Sequence, residues 1–88
     1  MSCMSKLEDK LMFMGYIQSY ECYRLFKLFA NHMIVVQRSL DDPHNKIQNI
    51  YVKCCNEEIT EQATIDNLQE AFNERNKDFE KLKKYIIK

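Results

Sequence analysis

The chain has 88 residues, thirteen basic and thirteen acidic side chains, and a hydrophobic fraction of 45%. That length suits one domain, residues 1–88, around a single small core, and the apolar content is too high for a disordered chain. Balanced charge without a basic block argues against nucleic-acid binding, which rests on neutralising phosphates.

Gly15 is the only glycine and Pro43 the only proline. Sheets usually need more of both at their turns, so the composition predicts an all-α chain of three helices. The first opens at a capping-box pattern, Ser5 with Glu8 three residues on, and nothing breaks it before Asp41-Asp42-Pro43. It runs from Leu7 to Leu40, roughly 50 Å at about 1.5 Å per residue. Gly15 would sit inside it as a kink or a close helix contact. A break near Asn31-His32 would give four helices instead.

A short second helix is predicted from Asp42 as N-cap with Pro43 in the first helical position. Ile47, Ile50, Tyr51 and Cys54 would form its apolar face at i, i+3, i+4 and i+7, and it would fade near Asn56-Glu57-Glu58. Thr60 or Thr64 caps the third helix, with Glu61 in its first turn. Ile65, Phe72, Phe79 and Ile86 recur every seven residues, with Leu68 and Leu82 three after Ile65 and Phe79. This is a heptad seam with Arg75 as its one polar occupant, read as packing on the first helix or as a coiled coil with another chain. The basic end, Lys81 to Lys88, complements the helix dipole.

No catalytic residue, metal site or cofactor is expected. Cys54-Cys55 is an adjacent pair, whereas zinc and redox sites want their cysteines spaced. His32 and His44 form no i, i+4 ligand pair, and His44 is read as a surface turn residue. Glu57, Glu58 and Glu61 are read as helix-start charges, and one glycine cannot make a phosphate loop. The four cysteines show no disulfide spacing and no secretory pattern opens the chain, which predicts a reducing intracellular compartment, the cytoplasm first. The least polar window, Leu11 to Val36, holds Glu21, Arg24, Lys27 and His32, too many charges for a membrane span.

Four aromatic residues, Tyr20, Tyr23, Phe26 and Phe29, lie in the run from Ile17 to Phe29, with Glu21, Arg24 and Lys27 among them. On a helix Phe13, Tyr16, Tyr20 and Tyr23 make one stripe, extended by Phe26. A single-domain core is the simplest home for this stripe. Helices two and three have too few residues to cover it completely, however, and an exposed or partner-covered interface is the other reading. The chain is therefore read as a non-catalytic interaction or scaffold subunit, binding itself or a protein partner. Its anchors would be Tyr16, Tyr20, Tyr23 and Phe26 with Phe72 and Phe79. An apolar small molecule or acyl chain between the helices is the alternative ligand. The run Cys22-Tyr23-Arg24, with Tyr51 one helix later, also resembles the LYR-motif mitochondrial adaptor proteins. That resemblance implies a small three-helix adaptor, although Cys22 stands where the family has leucine and its basic character downstream is missing.

Overall fold

The computed structural model describes residues 6–20, 23–29, 32–54 and 61–87. It is not all-α. Helix α1 (Lys6–Phe13) is followed by strands β1 (Ile17–Gln18), β2 (Arg24–Phe29), β3 (His32–Arg38) and β4 (Ile47–Cys54), and then by helix α2 (Glu61–Leu82) with a 3-10 turn at Lys83–Tyr85. The four strands form one antiparallel sheet in chain order. The expected long first helix, its four-helix variant and the short second helix are all replaced by strands.

Of the stretch expected as the long first helix only Lys6–Phe13 is helical, and the helix ends just before the residue read as its internal kink. Gly15 has φ +94°, the left-handed region that an L side chain rarely adopts. The Tyr16 N–H donates to the Leu11 carbonyl and the Gly15 N–H to the Met12 carbonyl, both at 3.0 Å. These two bonds are a Schellman cap, and Leu11 and Tyr16, its flanking apolar pair, are both buried. The chain then turns into β1.

The strands from Arg24 to Arg38 follow from a period of two. Leu25 pairs across to Val36, Lys27 to Ile34 and Phe29 to His32 on one face. Arg24, Phe26 and Leu28 stand opposite Gln37, Val35 and Met33 on the other. Ile34, Val35 and Val36 are β-branched in succession, which suits a pleated surface better than a helix. After β3 the Asp41-Asp42-Pro43 signal makes a turn and not a helix start. The Lys46 N–H returns to the Asp42 carbonyl at 3.0 Å, and the Ser39 N–H to the Lys46 carbonyl at 3.1 Å.

A bulge explains why β4 resembled a helix. Gln37 pairs with Asn49 but Arg38 pairs with Ile47, so one step along β3 matches two along β4. The extra residue inverts the alternation, and Ile47 and Ile50 reach the same face despite a spacing of three. Both are buried.

The helices share one side of the sheet. Leu7 and Leu11 of α1 and Leu82 of α2 join Tyr16, Leu25, Ile34, Val36, Ile47 and Ile50 in a single core, with Phe79, Met14, Phe29 and Val52 packed at its margin. The heptad seam is not a coiled coil. Leu82 and Phe79 go into the core, Ile86 leaves the helix to bridge Ile47 in parallel, and Ile65 remains 52% exposed. The helix face toward the sheet is instead Ala71, Asp78 and Leu82. No helix among the described residues is long and apolar enough to cross a membrane. Ser5, Thr60 and Cys55 lie outside the described residues, and α2 is already helical at Glu61, ahead of the cap expected at Thr64.

Candidate protein-docking face

The second face of the sheet carries its own apolar residues. Its central row is Phe26, Val35 and Tyr51, set side by side by the β2–β3 and β3–β4 registers. Ile17 of β1 pairs with Phe26 and extends that row to the sheet edge. The next row is Leu28, Met33 and Lys53, and the row on the other side is Arg24, Gln37 and Asn49. Ile17 is 60% exposed and Leu28 65%, whereas Val35 at the centre is buried.

Phe26, Met33 and Val35 form the floor of a shallow groove of about 240 Å³, walled by Ser19, Tyr20, Arg24 and Lys53. Tyr20 stands fully exposed beside it. The turn that places Tyr20 there is closed by Ser19, whose N–H donates to the Arg24 carbonyl at 3.1 Å. The groove's charged walls are both cationic, and its one phenol faces water.

On the covered face α2 is tied to the sheet by polar contacts. Asp78 of α2 is buried against β2, where its Oδ2 accepts from the Tyr16 hydroxyl and the Lys27 ammonium, each at 2.6 Å. Lys27 also lies 3.6 Å from Glu74 and 5.0 Å from the centre of the Tyr16 ring. Burial first, and then the Asp78 carboxylate, push the Tyr16 hydroxyl far above its ordinary range, so it serves as a fixed donor and not as an acid. Arg75 donates through Nε to the Ile50 carbonyl at 3.0 Å. At the far end, buried Arg38 pairs with Glu8 of α1, and exposed His44 in the turn lies 3.0 Å from the same carboxylate. His32 is buried on the covered face, and neither ring nitrogen has a hydrogen-bond partner among the described residues.

The six anchors expected from the sequence are therefore dispersed. Phe26 lies on the open face and Tyr20 beside its groove. Tyr16 is in the core, Phe79 packs against that core, Tyr23 precedes β2, and Phe72 is 38% exposed on α2, stacked by Arg75 at 5.7 Å. No helical stripe unites them. Ile17, Leu28, Met33, Val35 and Tyr51 were missed, although the alternation of Phe26 with Leu28 and of Met33 with Val35 is the signal that marks them.

Among the described residues no three His, Cys, Asp or Glu side chains are grouped to hold a metal ion. The three-helix fold implied by the LYR resemblance is overturned: Arg24 opens a strand and Tyr51 lies inside another, while Cys22 is outside the described residues. No protein-family profile, curated protein or solved structure matches the chain.

Proposed function

We propose that the protein is a non-catalytic interaction module that binds a protein partner through the open face of its sheet. The carrying observation is the set of apolar side chains that four strands present on the side away from both helices. Ile17, Phe26, Leu28, Met33 and Tyr51 are neighbours there, with Val35 at their centre. Soluble monomers expose isolated apolar residues commonly and contiguous patches rarely, and a patch rimmed by polar groups marks an interaction site. Ile17 and Leu28 are each about two-thirds exposed. Covering just these two contributes roughly 2–4 kcal/mol.

The groove volume favours a protein over a small ligand. Small-molecule pockets usually enclose about 300–1,000 Å³, and this groove is smaller and open on one side. It has room for one or two side chains of a partner.

The test is capture by the immobilised full chain from an extract of its source, compared between the wild type, Leu28→Glu and Phe72→Glu. Leu28→Glu should keep the wild-type circular dichroism and melting temperature, since Leu28 is 65% exposed, whereas Phe72→Glu, which removes the ring stacked by Arg75, should keep the circular dichroism at a lower melting temperature. Loss of specific capture with Leu28→Glu but not with Phe72→Glu is the expected result. Capture unchanged by Leu28→Glu, or absent from the wild type, overturns the assignment.

A further inference from the structure

We infer that two copies of the chain pair edge to edge, β1 against β1, as a symmetric dimer with Gln18 at its two-fold axis. The contact lies on the margin of the sheet and not on its open face, so it goes beyond the docking role proposed above.

Alternation along β1 sets what this margin offers. Ile17 pairs with Phe26, and the Ser19 N–H donates to the Arg24 carbonyl at 3.1 Å, so both residues direct their backbone toward β2. The backbone of Gln18 between them therefore points outward, and so does the Tyr16 carbonyl. Among the described residues these outward groups have no backbone partner. Both residues of β1 are exposed, so neither helix covers them. The run Tyr16-Ile17-Gln18-Ser19-Tyr20 also holds no charge and no proline, two of the devices that guard exposed edges. The opposite edge is already bordered: Ile86 bridges Ile47, and the Ile50 carbonyl accepts Arg75.

The segment that matches this edge is the edge itself. An antiparallel copy centred on Gln18 exchanges two bonds, each Gln18 N–H donating to the carbonyl of the other. Ile17 then stands opposite the partner's Ser19 and diagonal to the partner's Ile17, about 7 Å away on the open face. That contact covers a side chain that is 60% exposed in the single chain. The two-fold axis is perpendicular to the sheet, so the helices of both copies stay on one side. The two apolar faces become one, on a doubled sheet. Because β4 is bordered, pairing through β1 closes at two copies and does not grow into a filament. With only two residues in β1, the contact is far smaller than the roughly 800 Å² per partner of a standard interface, and it belongs to the weak class.

The experiment is sedimentation equilibrium of the full chain from about 5 μM to about 1 mM, the range in which a weak contact of this kind associates. Amide hydrogen exchange is followed by NMR at both ends of that range. A dimer should appear toward the upper end, and exchange of the Gln18 amide should slow in proportion to the dimer fraction. The Ser19 amide, already bonded to Arg24, should change less. Gln18→Pro removes the outward N–H and keeps the bonds to β2, since an edge strand tolerates proline where its N–H faces solvent. It should keep the wild-type circular dichroism and stay monomeric, whereas Gln18→Ala should still dimerise. Ile17→Lys sets two like charges diagonally across the seam and should weaken association at least about tenfold. If Gln18→Pro loses the wild-type circular dichroism, Ile17→Lys and the Gln18 exchange decide.

A chain that is monomeric throughout, a dimer that survives Ile17→Lys or a folded Gln18→Pro, or species that grow beyond two each overturn the inference. A dimer lost in Leu28→Glu but kept in Gln18→Pro also overturns it and assigns the contact to the open face. Protection of Gln18 that appears only with a captured foreign protein overturns it as well and gives the edge to that partner. Partner capture and dimerisation use different surfaces, so either can fail while the other stands.

Discussion

Replacing Lys27 with methionine tests the polar clamp that seats α2 on the sheet. Lys27 is the cation nearest to Asp78, at 2.6 Å, and the Asp78 side chain is only 4% exposed. In Lys27→Met that carboxylate keeps the Tyr16 hydroxyl and loses its counter-charge, which costs about 3–4 kcal/mol for a buried, uncompensated ion. Asp78→Asn should be milder. The Tyr16 hydroxyl still finds an acceptor in the amide, and Lys27, 15% exposed, still has Glu74 at 3.6 Å. Its cost should be about 1–2 kcal/mol. The double variant removes both members of the pair, so it should be more stable than Lys27→Met alone, at a total loss of about 2 kcal/mol. Urea unfolding followed by circular dichroism resolves these differences, because a chain of this size has only about 4–13 kcal/mol in total. Single costs that add to within about 0.5 kcal/mol, or an Asp78→Asn cost larger than that of Lys27→Met, would refute the reasoning.

Gly15→Ala should lower stability by about 1–2 kcal/mol, since a Cβ there meets only the Lys27 Cδ at 3.5 Å and the whole penalty comes from φ +94°. Gly15→Asn should cost less, and equal melting temperatures for Ala and wild type would show that the cap does not need a left-handed residue. His32→Phe should leave stability unchanged or raise it by about 1 kcal/mol, because it deletes two buried nitrogens that have no hydrogen-bond partner among the described residues and keeps a planar ring. A loss above about 1 kcal/mol in the urea midpoint would mean that the imidazole makes a stabilising contact.

What the sequence disclosed depended on how local each signal was. Helix α2 was readable from Ile65 to Leu82 because a long helix writes its period over many turns. The start expected at Ser5 lies outside the described residues, and the end of α1 was not readable, since one glycine in an apolar run reads equally as a kink or as a stop. Only the bonds from Gly15 and Tyr16 back to Met12 and Leu11 decide between them. The strands were hidden by two coincidences. Tyr16, Tyr20, Tyr23 and Phe26 happen to be spaced by threes and fours, and the bulge opposite Gln37 and Arg38 gives Ile47 and Ile50 a helical interval. The run Ile34-Val35-Val36 was the countersignal, and the scarcity of glycine and proline outweighed it. The candidate site suffered accordingly. Phe26 and Tyr20 were recognisable as sticky aromatics, but Val35, Met33 and Leu28 join them only through cross-strand register, which no single segment encodes.

The way β4 is bordered bears on how open this edge of the sheet is to strand addition. A strand at the margin of a sheet offers unpaired backbone groups to other chains, and polymerisation by strand addition begins there. Here the Ile47 carbonyl already accepts the Ile87 N–H at 2.9 Å, and the Ile50 carbonyl accepts Arg75. An incoming strand would have to displace both, and Arg75 is held in place by its own stacking on Phe72. The apolar face of the sheet and its β4 edge are thus kept apart: a partner on the face proposed above would lie flat on the strands, while at Ile47 and Ile50 the edge carbonyls are already taken.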